Sequence, residues 1–163
     1  MDAIDRPASY QIVTGVDGSE GGRRALRWAA QQAAERAGEV TAIIAWRWDL
    51  PGGGLPTTSA TAEEEPSRAA AELIAQEVNR VQPVVTVRTQ VQEGRPGEVL
   101  SAAARGADLL VLGSHGHSRV WHTVLGSVAE ECIRRSVCPV VVIPMRHPDG
   151  PELPEAPTAA ARR

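Results

Sequence analysis

Five short runs rich in β-branched and aliphatic residues recur along the chain, and a stretch of helical spacing separates each successive pair. This alternation constrains the fold more than any other feature. The runs are residues 10–16, 40–46, 84–91, 108–112 and 138–144. After the first, Ala25, Ala29, Ala33 and Ala37 recur every four residues beside Leu26, Trp28 and Ala30. Residues 21–37 therefore read as a helix, with Ser19 at its N-cap and Gly38 at its end. Residues 67–81 carry Ala69-Ala70, Leu73-Ile74, Val78 and Val81 on one stripe, interrupted by Glu77. Gly94-Arg95-Pro96-Gly97 turns into a third helix, with Val99-Leu100, Ala103-Ala104 and Ala107 facing the core. Residues 126–136 repeat the pattern with Val128-Ala129 and Cys132-Ile133. Strand–helix alternation builds a parallel sheet covered by helices on both faces. The near-continuous apolar run 40–46 suits a strand buried on both sides. The period-two alternation of 84–91 suits an edge strand. The expected fold is α/β: a single domain with an open, parallel five-stranded sheet.

The fourth run leads into Gly113-Ser114-His115-Gly116, nine further residues, then Gly126-Ser127 at the start of the last helix. Glycine lets main chain approach an anion closely. The first N–H groups of a helix are unpaired, and the helix dipole favours negative charge there. Ser127 adds a hydroxyl that can cap the helix or touch a phosphate. The loop is thus expected to hold the phosphates of a nucleotide. Asp17, the end of the second strand at Ala45, and Gly113 would meet at the carboxyl edge of the sheet, where such folds bind ligands. The bland alternative is that these glycines are turn residues only.

Composition narrows the chemistry. All 17 basic residues are Arg, so a phosphate-loop lysine and a lysine Schiff base are excluded. A net charge of -3 gives no field for a polyanion, so nucleic acid is not an expected partner. No apolar run reaches the ~20 residues that cross a bilayer. The first residues carry no signal-peptide core. The expected setting is cytoplasmic, with no membrane partner. Cys132 and Cys138 fit neither a zinc knuckle nor a dithiol motif and read as reduced packing residues. Residues 1–9 read as a flexible N-terminus, 49–66 as a long surface loop, and 145–163 as a disordered Pro- and Ala-rich tail.

Three stretches together resemble the universal stress protein family. Its ATP-binding members carry Gly, two residues, Gly, nine residues, Gly, then Ser or Thr, which Gly113, Gly116, Gly126 and Ser127 match without a gap. Gly15-Val16-Asp17-Gly18-Ser19 matches the family's first-strand signature, and Cys138-Pro139-Val140-Val141-Val142-Ile143-Pro144 resembles its last strand. The likeness covers residues 10–144. It implies a Rossmann-like fold of universal stress protein type and a nucleotide-responsive, dimeric stress-response regulator with little or slow hydrolysis. The ligand would be ATP, with Mg²⁺ or Mn²⁺ as the accompanying metal. Gly113, Gly116, Gly126, Ser127 and Val128 would surround phosphates and ribose. Asp17 would lie near them and help hold the metal. Gly15 and Leu112 would line the adenine and sugar pocket. Ala45 would offer backbone groups to the adenine edge, a place Trp46 takes if the register slips by one. Two chains would pair through Val140–Ile143, an apolar strand edge otherwise exposed.

Other loop residues stay open. His115 is expected near phosphate rather than on a metal. Arg119 either donates to a phosphate or is a solvated charge. Trp121 reads as a packing anchor. Ser114-His115 with Asp17 lacks the Gly-x-Ser-x-Gly elbow of a hydrolase. The rival functions are an ATP-using enzyme of the same broad fold, an ATPase or adenylyl transferase, and a dimeric interaction module with a vestigial pocket.

Overall fold

A computed structural model describes residues 9–47, 60–116 and 125–145. The tail beyond 145, residues 48–59, and Arg119 and Trp121 of the loop lie outside the described residues. The sheet is formed by β1 (Gln11–Gly15), β2 (Glu39–Trp46), β3 (Val87–Glu93), β4 (Leu109–Gly113) and β5 (Val140–Ile143). All neighbours are parallel, and the order is β3-β2-β1-β4-β5. The helices are α1 (Glu20–Glu35), α2 (Ala60–Val81), α3 (Pro96–Ala103) and α4 (Ser127–Arg135), with a 3-10 turn at Ala104–Gly106. This is the expected open α/β sheet.

The order explains the layering. The chain winds outward from β1 through β2 to β3, then crosses back to β4 and β5. Right-handed crossovers in opposite directions put their helices on opposite faces. Accordingly, Ala25, Leu26, Ala29 and Ala33 of α1 and Ala70 and Ile74 of α2 pack with Ile12, Val40 and Val111 on one face. Val99 and Leu100 of α3 and Ala129 and Cys132 of α4 pack with Val13, Ile43 and Leu110 on the other. Leu26, Ile43 and Leu110 are almost wholly buried. Each such side chain contributes roughly 1.5–3 kcal/mol relative to exposure. Alanine dominates the inner stripe of α1, which lets that helix lie close to the sheet.

Three details depart from expectation. The helix α2 begins at Ala60, inside the stretch read as loop, and carries Pro66 within it. Proline reads as a breaker, yet residues 60–65 are mostly Ala and Glu, strong helix formers. The strand β3 starts at Val87 rather than at 84. Val40 faces Val87 and β2 begins at Glu39, so residues 84 and 85 lie beyond the start of their neighbour. At the end of α1, Ala37 rather than Gly38 takes positive φ, at 50°. The Gly38 N–H closes the helix on the Ala33 carbonyl at 2.8 Å. Glycine is needed at 38 because a Cβ there would collide with the Tyr10 carbonyl.

Candidate functional site

With helices on both faces, the exposed ground is the carboxyl edge of the sheet. The winding reverses between β1 and β4. A cavity of about 340 Å³ opens there, at the small end of the roughly 300–1,000 Å³ common for small-molecule sites. Gly15, Asp17, Ala45, Leu112, Gly113, His115, Gly116, Gly126, Ser127 and Val128 all line it. Of the two register alternatives at the end of β2, Ala45 borders the cavity while Trp46 packs against the α1–α2 core.

The floor is apolar. A Cβ at Gly15 would come within 2.9 Å of Leu100 Cδ1 and 3.2 Å of Leu112 Cδ2, so these two leucines occupy the space a side chain would take. One wall is the turn after β1. The Val16 N–H donates to the Ile43 carbonyl at 2.9 Å and holds the chain in line with the sheet. Gly18 then turns it with φ of 79°. Asp17 Oδ1 accepts from the Ser19 amide at 3.0 Å and from its hydroxyl. Ser19 Oγ in turn accepts from the Gly22 N–H at 3.1 Å, capping α1 as expected. The Asp17 carboxylate therefore stands beside the positive end of α1.

The opposite wall is the start of α4. Gly126 is its N-cap in extended conformation, and no side-chain hydrogen bond caps the helix. Ser127 is the first helical residue rather than the cap. The Gly126 N–H donates to the Ser114 carbonyl at 2.6 Å, and the helix ladder begins with Glu130 N–H to the Gly126 carbonyl at 3.0 Å. The amides of Ser127, Val128 and Ala129 have no partner within the helix, and these three residues line the cavity.

The glycines of the loop have a packing role as well. A side chain at Gly113 would strike the Gly21 backbone, and one at Gly116 would strike Asp17 Oδ2. At Gly126 a Cβ would lie 3.1 Å from the Ser114 carbonyl oxygen, so it points at the protein's own main chain rather than into ligand space. Ser114, 5% exposed, ties the loop to the last strand. Its N–H donates to the Ile143 carbonyl at 2.9 Å, and its Oγ accepts from the Met145 N–H at 3.1 Å. His115 Nδ1 lies 3.2 Å from the same Oγ. The Ser114 hydroxyl is thus a structural acceptor in a buried knot.

Sequence reasoning did not single out Ser19, Gly22, Pro96 or Leu100 as lining residues. A signal existed at Gly21-Gly22. Paired glycines in a first helical turn cost about 1 kcal/mol each against Ala. The return is close approach: Gly21 admits the His115 carbonyl and Gly22 admits Asp17. Burial, the leading cause in each case, pushes the thiols of Cys132 and Cys138 up. Both are unbridged. Among the described residues no three His, Cys, Asp or Glu side chains group as a metal site, and no helix is long and apolar enough to cross a membrane.

Comparison with known proteins follows the same lines. The model of the Universal stress protein family matches residues 10–144. The chain is 30% identical over 152 residues to universal stress protein Rv2005c of Mycobacterium tuberculosis, an overlap of 90% of this chain and 50% of that one. It spans about half the length of the curated relatives it matches. Among solved structures it is similar to universal stress protein UspA from Lactobacillus plantarum, with a TM-score of 0.70 and 21% identity over 82% of this chain and 97% of that one. It is also similar to a universal stress protein in complex with cAMP, with a TM-score of 0.61 and 25% identity over 82% of this chain and 95% of that one.

Proposed function

Because the chain belongs to the universal stress protein family, we propose that its cavity binds an adenine nucleotide, ATP with a divalent metal foremost. On this reading the protein is a nucleotide-responsive regulator that acts as a homodimer and turns ATP over slowly or not at all. One observation carries the reading: α4 opens onto the cavity through a glycine N-cap without a side-chain acceptor. A phosphate is the ligand that such an end favours.

The roles follow from position. Amides of Gly126, Ser127 and Val128, with Gly113, His115 and Gly116, would border the phosphates. Gly15 and Leu112 would face the sugar and base, and the backbone at Ala45 the adenine edge. Asp17 stands in the same cavity as that phosphate site, and the chain has no lysine to offset the charge. A Mg²⁺ or Mn²⁺ ion held by Asp17, phosphate oxygens and water fits such a donor set, since Mg²⁺ commonly takes one or two carboxylates. The ion would supply charge neutralisation that no lysine provides here. The loop from Gly113 to Ser127 carries no carboxylate of its own to activate a nucleophile, which favours slow turnover over catalysis. Pairing through β5 is supported by its place at the end of the sheet and by its half-buried apolar residues.

Calorimetry with ATP, AMP and cyclic AMP, each with and without Mg²⁺, tests the proposal. ATP is expected to bind, more tightly with Mg²⁺. Asp17→Asn should weaken binding about tenfold, worth ~1.4 kcal/mol, only when Mg²⁺ is present. Absence of heat and of any thermal shift with all three nucleotides would overturn it. Turnover near one per second, within the ordinary enzyme range of about 1–10³ per second, would favour the enzyme reading. A second reading, a mononucleotide as the natural ligand, draws on the similar protein solved with cAMP. Preference for AMP or cyclic AMP over ATP would select it.

A further inference from the structure

One carboxylate in the core serves neither the hydrophobic packing nor the cavity lining. Glu77 lies on the inward stripe of α2 among Ala70, Leu73, Ile74 and Val78, and it is 1% exposed. Its Oε2 is 2.6 Å from Arg23 Nε, and its Oε1 is 3.1 Å from Arg80 Nη1. Arg80 is an exposed neighbour on the same helix. Arg23 comes from α1, and its guanidinium reaches in a second direction: Nη2 donates to the Gly18 carbonyl at 2.9 Å. Leu73, one turn before Glu77, packs its methyls over Gly18, about where a side chain at that position would be. The turn that carries Asp17 and Ser19 is thereby gripped from behind, at its carbonyl by Arg23, which Glu77 ties to α2, and at its Cα by Leu73 of α2.

Burying an ion pair gives little net stability, because desolvation offsets the attraction; apolar replacements of similar volume are often neutral or stabilising. An aliphatic residue at 77 would complete the stripe of α2. A carboxylate there sets the direction of Arg23, whose planar fork can meet Glu77 and the Gly18 carbonyl together. We infer that Glu77, acting through Arg23, is a positioning residue for the ligand site. It holds the Gly18 peptide, and with it the Asp17 carboxylate and the Ser19 cap, in the orientation that faces α4. This rests on the nucleotide reading for its functional consequence, while the grip on the turn stands apart from it.

The test uses the full chain and three variants: Arg23→Met with Glu77→Leu as a pair, Glu77→Gln, and Arg23→Lys. Ligand-free hydrogen exchange is read at the Ser19 and Gly22 amides, which donate to Asp17 and Ser19, with the buried Leu110 amide as reference. Affinity for ATP with Mg²⁺ is read in parallel. The apolar pair should melt at or above the parent temperature, yet exchange at Ser19 and Gly22 at least tenfold faster, with Leu110 unchanged, and bind ATP about tenfold more weakly. Arg23→Lys keeps the charge without the fork and should behave in the same way. Glu77→Gln keeps the shape and should fall between it and the parent. Unchanged exchange at Ser19 and Gly22 in the pair and in Arg23→Lys overturns the inference. So does acceleration equal at all three amides, which marks a merely structural role. If the parent binds no nucleotide, the proposed function fails, and the exchange pattern still decides the grip.

Discussion

Two helix N-termini face one cavity, and they are finished differently. At α1, Ser19 caps the Gly22 amide and Asp17 braces Ser19, so the chain supplies its own acceptors. At α4, Gly126 supplies none. The dipole and the orphan amides are the same physics at both ends. An internally satisfied end holds a carboxylate in place; on the proposed reading, an end left without a side-chain cap keeps its donors for a ligand. This inequality between neighbouring elements is what the proposed site rests on.

The comparison can be broken by closing the second end. Gly126→Asp places an acceptor and a negative charge at the α4 N-cap, where the backbone, at φ -75° and ψ 157°, suits a non-glycine residue. ATP affinity measured by calorimetry should fall about a hundredfold, equivalent to ~2.7 kcal/mol. The cap itself would stabilise by about 1 kcal/mol, set against the tight approach to the Ser114 carbonyl. A melting temperature near the parent's with binding lost would therefore locate the ligand at α4. Binding retained within threefold would remove α4 from the site.

Opening the first end has a smaller effect and a different one. Ser19→Ala leaves the Gly22 amide without its acceptor and should lower unfolding free energy by about 1 kcal/mol, read from the urea midpoint. If that change cost as much ATP affinity as Gly126→Asp, the two ends would be equivalent and the contrast drawn above would be wrong.

At neutral pH the last effect vanishes, and it separates the helices only by pH. Cys132 on α4 is buried and its thiol is pushed up, with desolvation by burial the main cause. A raised folded pKa means that its contribution to stability is fully present below the unfolded pKa and is lost as pH rises through the folded one. From about pH 9 upward, the unfolding free energy read from urea midpoints should decline by at most ~1.4 kcal/mol per pH unit for one such group. Because the chain has no lysine, few other side chains release protons there. Cys132→Ala, though less stable at neutral pH, should show a flatter alkaline limb. An unaltered limb would assign the loss elsewhere.

Much of this architecture was legible along the chain. Apolar runs such as residues 40–46 and the four-residue spacing of Ala25, Ala29 and Ala33 report which faces are buried, because periodicity is a local consequence of strand and helix geometry. Ser19 as a cap was legible for the same reason: its partner is three residues away. The start of α2 was not, since Pro66 is a local stop signal that tolerance within a long helix overrides. Glu77 stood out only as a flaw in an apolar stripe. Its partner, Arg23, lies 54 positions earlier, and no local pattern joins them.

The sequence alone determined the alternation of elements, the parallel sheet that such alternation demands, and the small residues that main chain must approach closely. Each depends on interactions within a few residues. The tertiary structure decided which of those small residues serve packing, with Gly21 under His115 and Gly116 against Asp17, and which helix end opens on the cavity without a side-chain cap. It also decided that a carboxylate on α2 anchors Arg23 of α1, whose guanidinium meets the turn after β1. Those outcomes depend on distances between segments far apart along the chain, and such distances exist only once the sheet has set its order.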